Sequence, residues 1–238
     1  MKWLEANGVP RNKVIDGRVF QVPGLDFPRL LAEGIAYGEL RLPVFTDGMR
    51  PIYPRIYQTE DKKLSINIGP KSYTGNVKIE GTGSIQIGNF DSIAWNQTFE
   101  LGNNIDHNYR NVNSYALCGF DWSTLIEFFP QTFQTSCQIN IGNDVWIGRG
   151  CILKSTNPAR PLVIGDGAVI ASDSVVVKSV PPYAIVGGNP ARIIKYRFSE
   201  DIIDALLRIK WWDWDIDKIY ENFKYFNRVE EFVAIHDK

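Results

Sequence analysis

The feature that most constrains this fold is an aliphatic residue that recurs every six positions, often followed by Gly or Ala. Ile141, Ile147 and Leu153 are three successive steps of this repeat, which resumes at Ile164 and Ile170. An amphipathic helix needs a period near 3.6 and a half-buried strand a period near 2, so a period of six fits neither element. A parallel β-helix does need it, because each side of a coil is a short strand with one inward aliphatic. The sequence therefore predicts a solenoid.

The repeat also divides the chain into segments. It begins weakly near Leu64, stops between about 102 and 136, and then runs to about residue 190. A long segment without periodicity is usually functional or disordered, and its many aromatic residues favour an ordered excursion. Residues 154–161 interrupt the repeat once more and predict a bulge at a corner. We predict an irregular N-terminal cap (1–62), a β-helix domain (63–190) with its excursion, and a C-terminal helical segment (191–238).

Two helices are predicted in the C-terminal segment. Ser199 is a suitable N-cap, with acidic residues in the first turn behind it, and Asp215 is a second N-cap. Apolar residues at helical spacing follow each cap. Because a solenoid exposes an apolar end, we expect these helices to cover it.

Composition narrows the classes of partner. The chain has 238 residues and a formal net charge of -1, which argues against a nucleic-acid partner. It carries three cysteines without a paired spacing, and we expect free thiols and a reducing compartment. The N-terminus shows no signal peptide, and no apolar run is long enough for a membrane span. The sequence predicts a cytoplasmic protein without a membrane partner.

Three segments together resemble the hexapeptide-repeat acyltransferases, and more narrowly the branch with the chloramphenicol and streptogramin acetyltransferases and their sugar-modifying relatives. They are residues 143–148 (NDVWIG), residues 182–192 (PYAIVGGNPAR), and Arg197-Phe198-Ser199 with the Trp-rich residues 211–214 (WWDW). The resemblance covers roughly residues 64 to 224. It implies a mainly β fold, a left-handed parallel β-helix with C-terminal α-helices. It also implies a homotrimer with active sites between subunits, acetyl-CoA along the coil edges, and no metal.

The resemblance places a catalytic base at His107, at the root of the excursion. In the family a histidine is followed by a Ser/Thr-Tyr-Pro sequence, and here Ser114 and Tyr115 are followed by Ala116. A hydroxyl or amine that attacks a thioester must lose its proton, and a neutral imidazole is suited to accept it. The competing interpretation is an ordinary loop histidine. Tyr115 is predicted to contact the acceptor.

The resemblance also suggests cofactor contacts. Ala171 and Ser172 match positions where pantetheine runs beside a strand edge. Lys178 and Arg192 match positions that meet the CoA phosphates, where a cation is chemically suitable. Each of these cations could equally be a solvated side chain. Cys151 as a nucleophile is a competing idea, but its register points the thiol into the coil interior.

Two further residues are candidates for the acceptor pocket. Asp91 occupies a small inward position of the repeat, where a buried carboxylate is costly unless it is paired. We therefore predict that it turns toward the cleft and binds the acceptor. Trp146 has two interpretations, a structural signature at a solenoid corner or a wall of the acceptor pocket.

The predicted function is acetyl transfer from acetyl-CoA to a small hydroxyl- or amino-bearing acceptor, a sugar or nucleotide sugar. The alternative within this class is an antibiotic-inactivating acetyltransferase. A metal-dependent hydratase on the same scaffold would need three histidines at each interface, and the chain has two, His107 and His236. A non-catalytic trimeric scaffold is the remaining alternative.

Overall fold

The structure, a computed structural model, describes residues 63–102, 112 and 136–237, and the backbone of two short strands before them. The strands are β1 (Leu40–Arg41), β2 (Arg55–Gln58), β3 (Leu64–Ile68), β4 (Tyr73–Thr74), β5 (Val77–Gly81), β6 (Gly83–Ile87), β7 (Ser92–Ile93), β8 (Gln97–Leu101), β9 (Cys137–Ile141), β10 (Trp146–Ile147), β11 (Ile152–Ser155), β12 (Leu162–Ile164), β13 (Val169–Ile170), β14 (Val175–Val176), β15 (Ala184–Gly188) and β16 (Ala191–Tyr196). The helices are α1 (Glu200–Ile209), α2 (Ile216–Asn222) and α3 (Val229–His236), with single 3-10 turns at Trp211–Asp213 and Phe223–Tyr225.

Every third strand belongs to the same sheet, so the chain winds around a prism with three faces. Sheet I has the order β12-β9-β6-β3-β2, sheet II β16-β15-β13-β10-β7-β4, and sheet III β1-β5-β8-β11-β14. Strands of successive coils pair in parallel and in register, as Ile85 does with Ile139 and Ile147 with Ile170. The predicted left-handed parallel β-helix is confirmed.

The repeat fills the interior of the prism with stacked aliphatic side chains. Inward residues of successive coils, such as Ile66, Ile85, Ile139 and Ile164, are almost completely buried. Phe99 is the largest apolar side chain among those fully enclosed within the coils. Because each coil buries its aliphatic residues only against its neighbours, stability accumulates coil by coil.

The three corners of the prism differ in backbone conformation and in the length of the segment that turns the corner. The first corner, between sheets I and II, has one residue per coil with positive φ, as at Phe90, Asp144 and Tyr183. At the second corner, between sheets II and III, Asn96 and Asp173 also have positive φ.

The third corner, between sheets III and I, carries both interruptions of the repeat. The excursion leaves after β8 and the chain returns at β9, and one coil later residues 156–161 separate β11 from β12. The predicted bulge is therefore present, but it begins at residue 156, because Lys154 and Ser155 still pair with β8.

Antiparallel strands close both ends of the described coils. Strand β2 pairs with β3 and β1 with β5, so two pieces of the N-terminal segment lie against the first coil. The rest of residues 1–62 lies outside the described residues. At the other end β16 folds back on β15, a strand that the sequence did not predict.

The C-terminal helices pack along the first corner rather than over the apolar end of the prism. The Trp212 carbonyl accepts a hydrogen bond from Asn89 Nδ2 at 3.4 Å, and the Trp211 ring lies 4.9 Å from Phe90, both in the second coil. The expectation that the helices cover the end was wrong. The β15–β16 hairpin is the reason, because it reverses the chain and returns it to the first corner, where Arg197 N–H donates to the Tyr183 carbonyl. Ser199 and Asp215 precede helices as predicted, although only Asp215 makes the capping bond, to Lys218 N–H.

Candidate functional site

The first corner is occupied by an ion pair and an aromatic cluster. Arg197 lies 3.0 Å from Asp144 and also donates to the Gly167 carbonyl at 2.7 Å. Burial raises the pKa of Asp144, and the adjacent guanidinium opposes that rise. Burial also raises the pKa of Tyr183, whose enclosed hydroxyl has no hydrogen-bond partner among the described residues. This corner joins the helices to the coils.

A cavity of about 340 Å³ lies at the same junction. Its walls are mainly apolar and aromatic, including Phe198, Trp211, Phe226 and Phe232. None of the described residues predicted to contact cofactor or acceptor lines it. The predicted cofactor residues Ala171 and Ser172 lie instead at the second corner.

The second corner carries a column of small residues that we call the second-corner column: Ala94, Gly148, Ala171 and Gly187, one from each of four successive coils. Coils stack closely here, because a Cβ on Gly148 would lie 2.6 Å from the backbone nitrogen of Ser172. Ala171 N–H donates to the Val186 carbonyl and Gly148 N–H to the Ile170 carbonyl, which ties the coils together. Gly148 is buried in this column, and Ala94, Ala171 and Gly187 are half-buried.

Two polar side chains inside the prism hold this corner from within, Gln97 and Ser174. The Gln97 amide donates to the carbonyls of Ala94 at 2.9 Å and Gly148 at 2.8 Å, and its oxygen accepts from Cys151 N–H at 3.1 Å. Ser174 donates to the Ala171 carbonyl at 2.6 Å. Gln97 and Ser174 were not among the residues predicted from the sequence. Their signal was a polar residue at an inward position otherwise reserved for small or aliphatic side chains.

Cys151 belongs to this internal framework. Its thiol is fully buried and lies 3.2 Å from the Gly148 carbonyl and 3.1 Å from the Ala171 carbonyl. Burial raises the pKa of this thiol, which disfavours the nucleophilic thiolate. The structure therefore supports the buried free thiol and not the nucleophile.

The predicted cofactor residues divide between two corners. Ala171 and Ser172 lie at the second corner, and Arg192 is exposed on β16 opposite Gly187, at the end of the second-corner column. Lys178 is also exposed but follows β14, at the third corner. Five residues of extended chain separate it from the second corner, or roughly 16 Å. The fold thus places three of the four residues, Ala171, Ser172 and Arg192, along the second corner.

The predicted acceptor residues lie in very different surroundings. Asp91 is fully buried in the prism, where its Oδ1 accepts from Val145 N–H at 2.7 Å and its Oδ2 has no partner among the residues that the structure describes. This placement gives the carboxyl group no access to a bound acceptor, in contrast to the predicted turn toward the cleft. Its side chain follows the inward register of the repeat, and burial raises its pKa well above the ordinary value. Trp146 begins β10 on the outer face of sheet II and is 59% exposed. His107 and Tyr115 lie outside the described residues.

Sequence comparison relates the chain to known proteins, although no family model matches it. It is 40% identical over 143 residues to a probable macrolide acetyltransferase of Lysinibacillus sphaericus, which covers 58% of this chain and 74% of that protein. The chain belongs to the hexapeptide-repeat acyltransferase family, in the xenobiotic acetyltransferase branch.

Two further relatives belong to the same family. A chloramphenicol acetyltransferase of Morganella morganii is 39% identical over 133 residues, 56% of this chain and 61% of that protein. A galactoside O-acetyltransferase of Escherichia coli K12 is 32% identical over 134 residues, 55% of this chain and 54% of that protein. The chain thus spans about three fifths of the length of the chloramphenicol acetyltransferases that it matches.

No group of three or more His, Cys, Asp or Glu side chains is placed to hold a metal ion in the part of the chain that the structure describes. No helix there has the length and apolar content that crossing a bilayer requires.

Proposed function

We propose that this protein transfers an acetyl group from acetyl-CoA to a hydroxyl or amino group of a small acceptor, a sugar or nucleotide sugar. The observation that carries the proposal is the second-corner column of small residues in a chain of this family, and we place the groove for the cofactor along it. Pantetheine would run along Gly148, Ala171 and Ser172, and Arg192 at its end would meet a CoA phosphate. Lys178 would make a second phosphate contact, from the third corner.

We assign the chemical step to direct attack without a covalent enzyme intermediate. His107 would accept the proton of the acceptor hydroxyl or amine as that atom bonds to the thioester carbon, and CoA thiolate would then leave. A backbone N–H beside the pantetheine would stabilise the oxyanion. Those of Arg149 and Ser172 are candidates, because neither takes part in the backbone bonds between coils among the described residues. Tyr115 and Trp146 would form walls of the acceptor pocket.

The site is proposed to be completed by neighbouring copies in a homotrimer. Support comes from apolar side chains that single coils leave exposed on the outer faces: Trp146, Val163, Val177, Ile193 and Ile194. Sedimentation equilibrium should give three times the chain mass of 27.0 kDa. We place the protein in the cytoplasm, because the free buried thiols Cys137 and Cys151 suit a reducing compartment.

Thiol release from acetyl-CoA, measured across a panel of saccharides and nucleotide sugars, tests this function. His107→Ala should lower turnover by about 10²–10⁴-fold while CoA binding by calorimetry is retained. The matched control is His236→Ala, which removes the other histidine of the chain. Equal turnover by wild type and His107→Ala would refute the assignment of His107 as the base. Absence of CoA binding by the wild type would instead favour a non-catalytic scaffold.

Antibiotic inactivation is a second candidate, and the names of the relatives favour it. Both the chloramphenicol acetyltransferase and the probable macrolide acetyltransferase are more similar to this chain than the galactoside O-acetyltransferase is. The discriminating experiment uses chloramphenicol and a macrolide as acceptors beside the saccharides, together with growth of a sensitive host that expresses the protein. Protection of the host and turnover of a drug alone would establish this candidate over the sugar acceptor.

A further inference from the structure

An exposed indole lies beside the second-corner column. Trp95 follows Ala94 at the second corner of the second coil and is 51% exposed. The registers of the neighbouring strands pair Thr74 with Ile93 and Val77 with Gln97. Two residues therefore form this corner in the first coil and three in the second. The first coil is one residue shorter at this corner, and the Trp95 side chain of the second coil stays half exposed beside it.

The backbone that carries this indole is fixed on both sides. The Trp95 carbonyl accepts from Gly150 N–H at 3.0 Å and from the Gln97 amide at 3.3 Å. The next residue, Asn96, makes two bonds with Asn76 of the first coil, one from its backbone N–H at 2.8 Å and one to its side-chain oxygen at 3.0 Å. A side chain on such a backbone is positioned before a ligand arrives, which lowers the entropic cost of binding.

The indole also stands in line with the proposed cofactor groove. The second-corner column passes from Ala171 to Gly148 and then to Ala94, at about 4.8 Å per coil. A pantetheine that runs from Arg192 toward the N-terminal coils would bring its thioester end toward Trp95. Beside it, Arg149, Asn96 and Asn76 are exposed polar side chains. A flat apolar surface with hydrogen-bonding groups at its edge suits the C–H face of a sugar ring and its hydroxyls.

We propose that Trp95 is the platform on which the sugar ring of the acceptor stacks, and that it determines specificity for saccharides. This inference rests on the proposed acetyltransferase function and adds the binding element for the acceptor. An open, polar-edged platform fits a saccharide better than an apolar drug, which would need an enclosed pocket.

The test compares Trp95→Ala and Trp95→Phe with wild type, using acetyl-CoA with methyl gluco- and galactopyranosides and with chloramphenicol. Trp95→Ala should raise the KM for the accepted pyranoside roughly 3- to 10-fold, and Trp95→Phe should restore part of the loss. The KM for acetyl-CoA and the melting temperature should not change. Tyr220→Ala, which removes an exposed ring on α2, is the control and should behave as wild type.

Three outcomes would overturn the platform. An unchanged pyranoside KM in Trp95→Ala, with CoA binding intact, would refute it and leave the acetyltransferase standing. Turnover of chloramphenicol without turnover of any pyranoside would refute the saccharide assignment. A wild type that does not bind CoA would refute both proposals together, which distinguishes that result from the first two.

Discussion

The buried carboxyl of Asp91 predicts an unusual dependence of stability on pH. Its Oδ1 accepts from Val145 N–H, and its Oδ2 has no partner within the described part of the chain, so ionisation inside the prism is poorly compensated. Burial is the main cause of the raised pKa, and the nearby carboxylates Asp144 and Asp166 raise it further. Folding therefore holds this proton more tightly than the unfolded chain does, in which the pKa is near 3.8. The free energy of unfolding should fall as pH rises between the unfolded and folded pKa values.

The magnitude follows from proton linkage. Release of one proton on unfolding lowers the free energy of unfolding by at most about 1.4 kcal/mol per pH unit across that window. For a protein of this size, that corresponds to roughly 3–6 °C of melting temperature per unit. Asp91→Asn keeps the acceptor for Val145 N–H and removes the ionisation, so this contribution to the pH slope should disappear.

Thermal and urea unfolding from pH 4 to pH 9, at a fixed protein concentration, measure this slope. The difference in stability between Asp91→Asn and wild type should grow in favour of the variant as pH rises. Asp173→Asn is the control, because Asp173 is exposed and its positive φ of 60° is one that Asn also tolerates. The reasoning fails if wild type, Asp91→Asn and Asp173→Asn show the same slope.

Four further predictions concern the two corners and the proposed base. Gly148→Ala should lower the free energy of unfolding in urea by about 1–3 kcal/mol, because its Cβ would meet the backbone of Ser172. The variant should also bind CoA more weakly in calorimetry. An unchanged CoA affinity would exclude binding along the second-corner column. Arg192→Ala should weaken CoA binding about 2- to 5-fold at low salt, with the difference vanishing at high salt. In His107→Ala, the fall of kcat/KM at low pH that protonation of the base causes should disappear. If the variant keeps this fall, another residue is the base. Tyr183→Phe should be neutral or up to about 1 kcal/mol stabilising in thermal unfolding, because the hydroxyl that it removes has no hydrogen-bond partner in residues 63–102 and 136–237.

Much of the fold could be predicted because the repeat is a local property of the chain. Each inward aliphatic, Ile147 or Ile170 for example, specifies its own strand, and the register of one coil is repeated in the next. The position of the C-terminal helices could not be predicted in this way. It depends on strand β16, whose pairing with β15 is decided by the turn between them and by Arg197 reaching Asp144 across the first corner.

The candidate site was predictable only in part. Family resemblance led to Ala171, Ser172 and Arg192, which the fold brings to one corner. Asp91 was misassigned because a costly buried carboxylate was assumed to avoid the interior, whereas the chain keeps it there with one hydrogen bond. The role of Gln97 could not be read from its neighbours in sequence, because its amide joins carbonyls of two different coils.

Both interruptions of the repeat occur at the third corner, on adjacent coils. This corner is therefore where such a protein can gain or exchange segments. A segment inserted there leaves one strand and enters the next without disturbing the paired corners, since residues 156–161 separate β11 and β12 while both strands keep their partners. Lengthening such a loop costs only about 0.6 kcal/mol for each doubling. We expect that the third-corner segments can be exchanged between homologues to change the acceptor, with the coils kept as an unchanged frame.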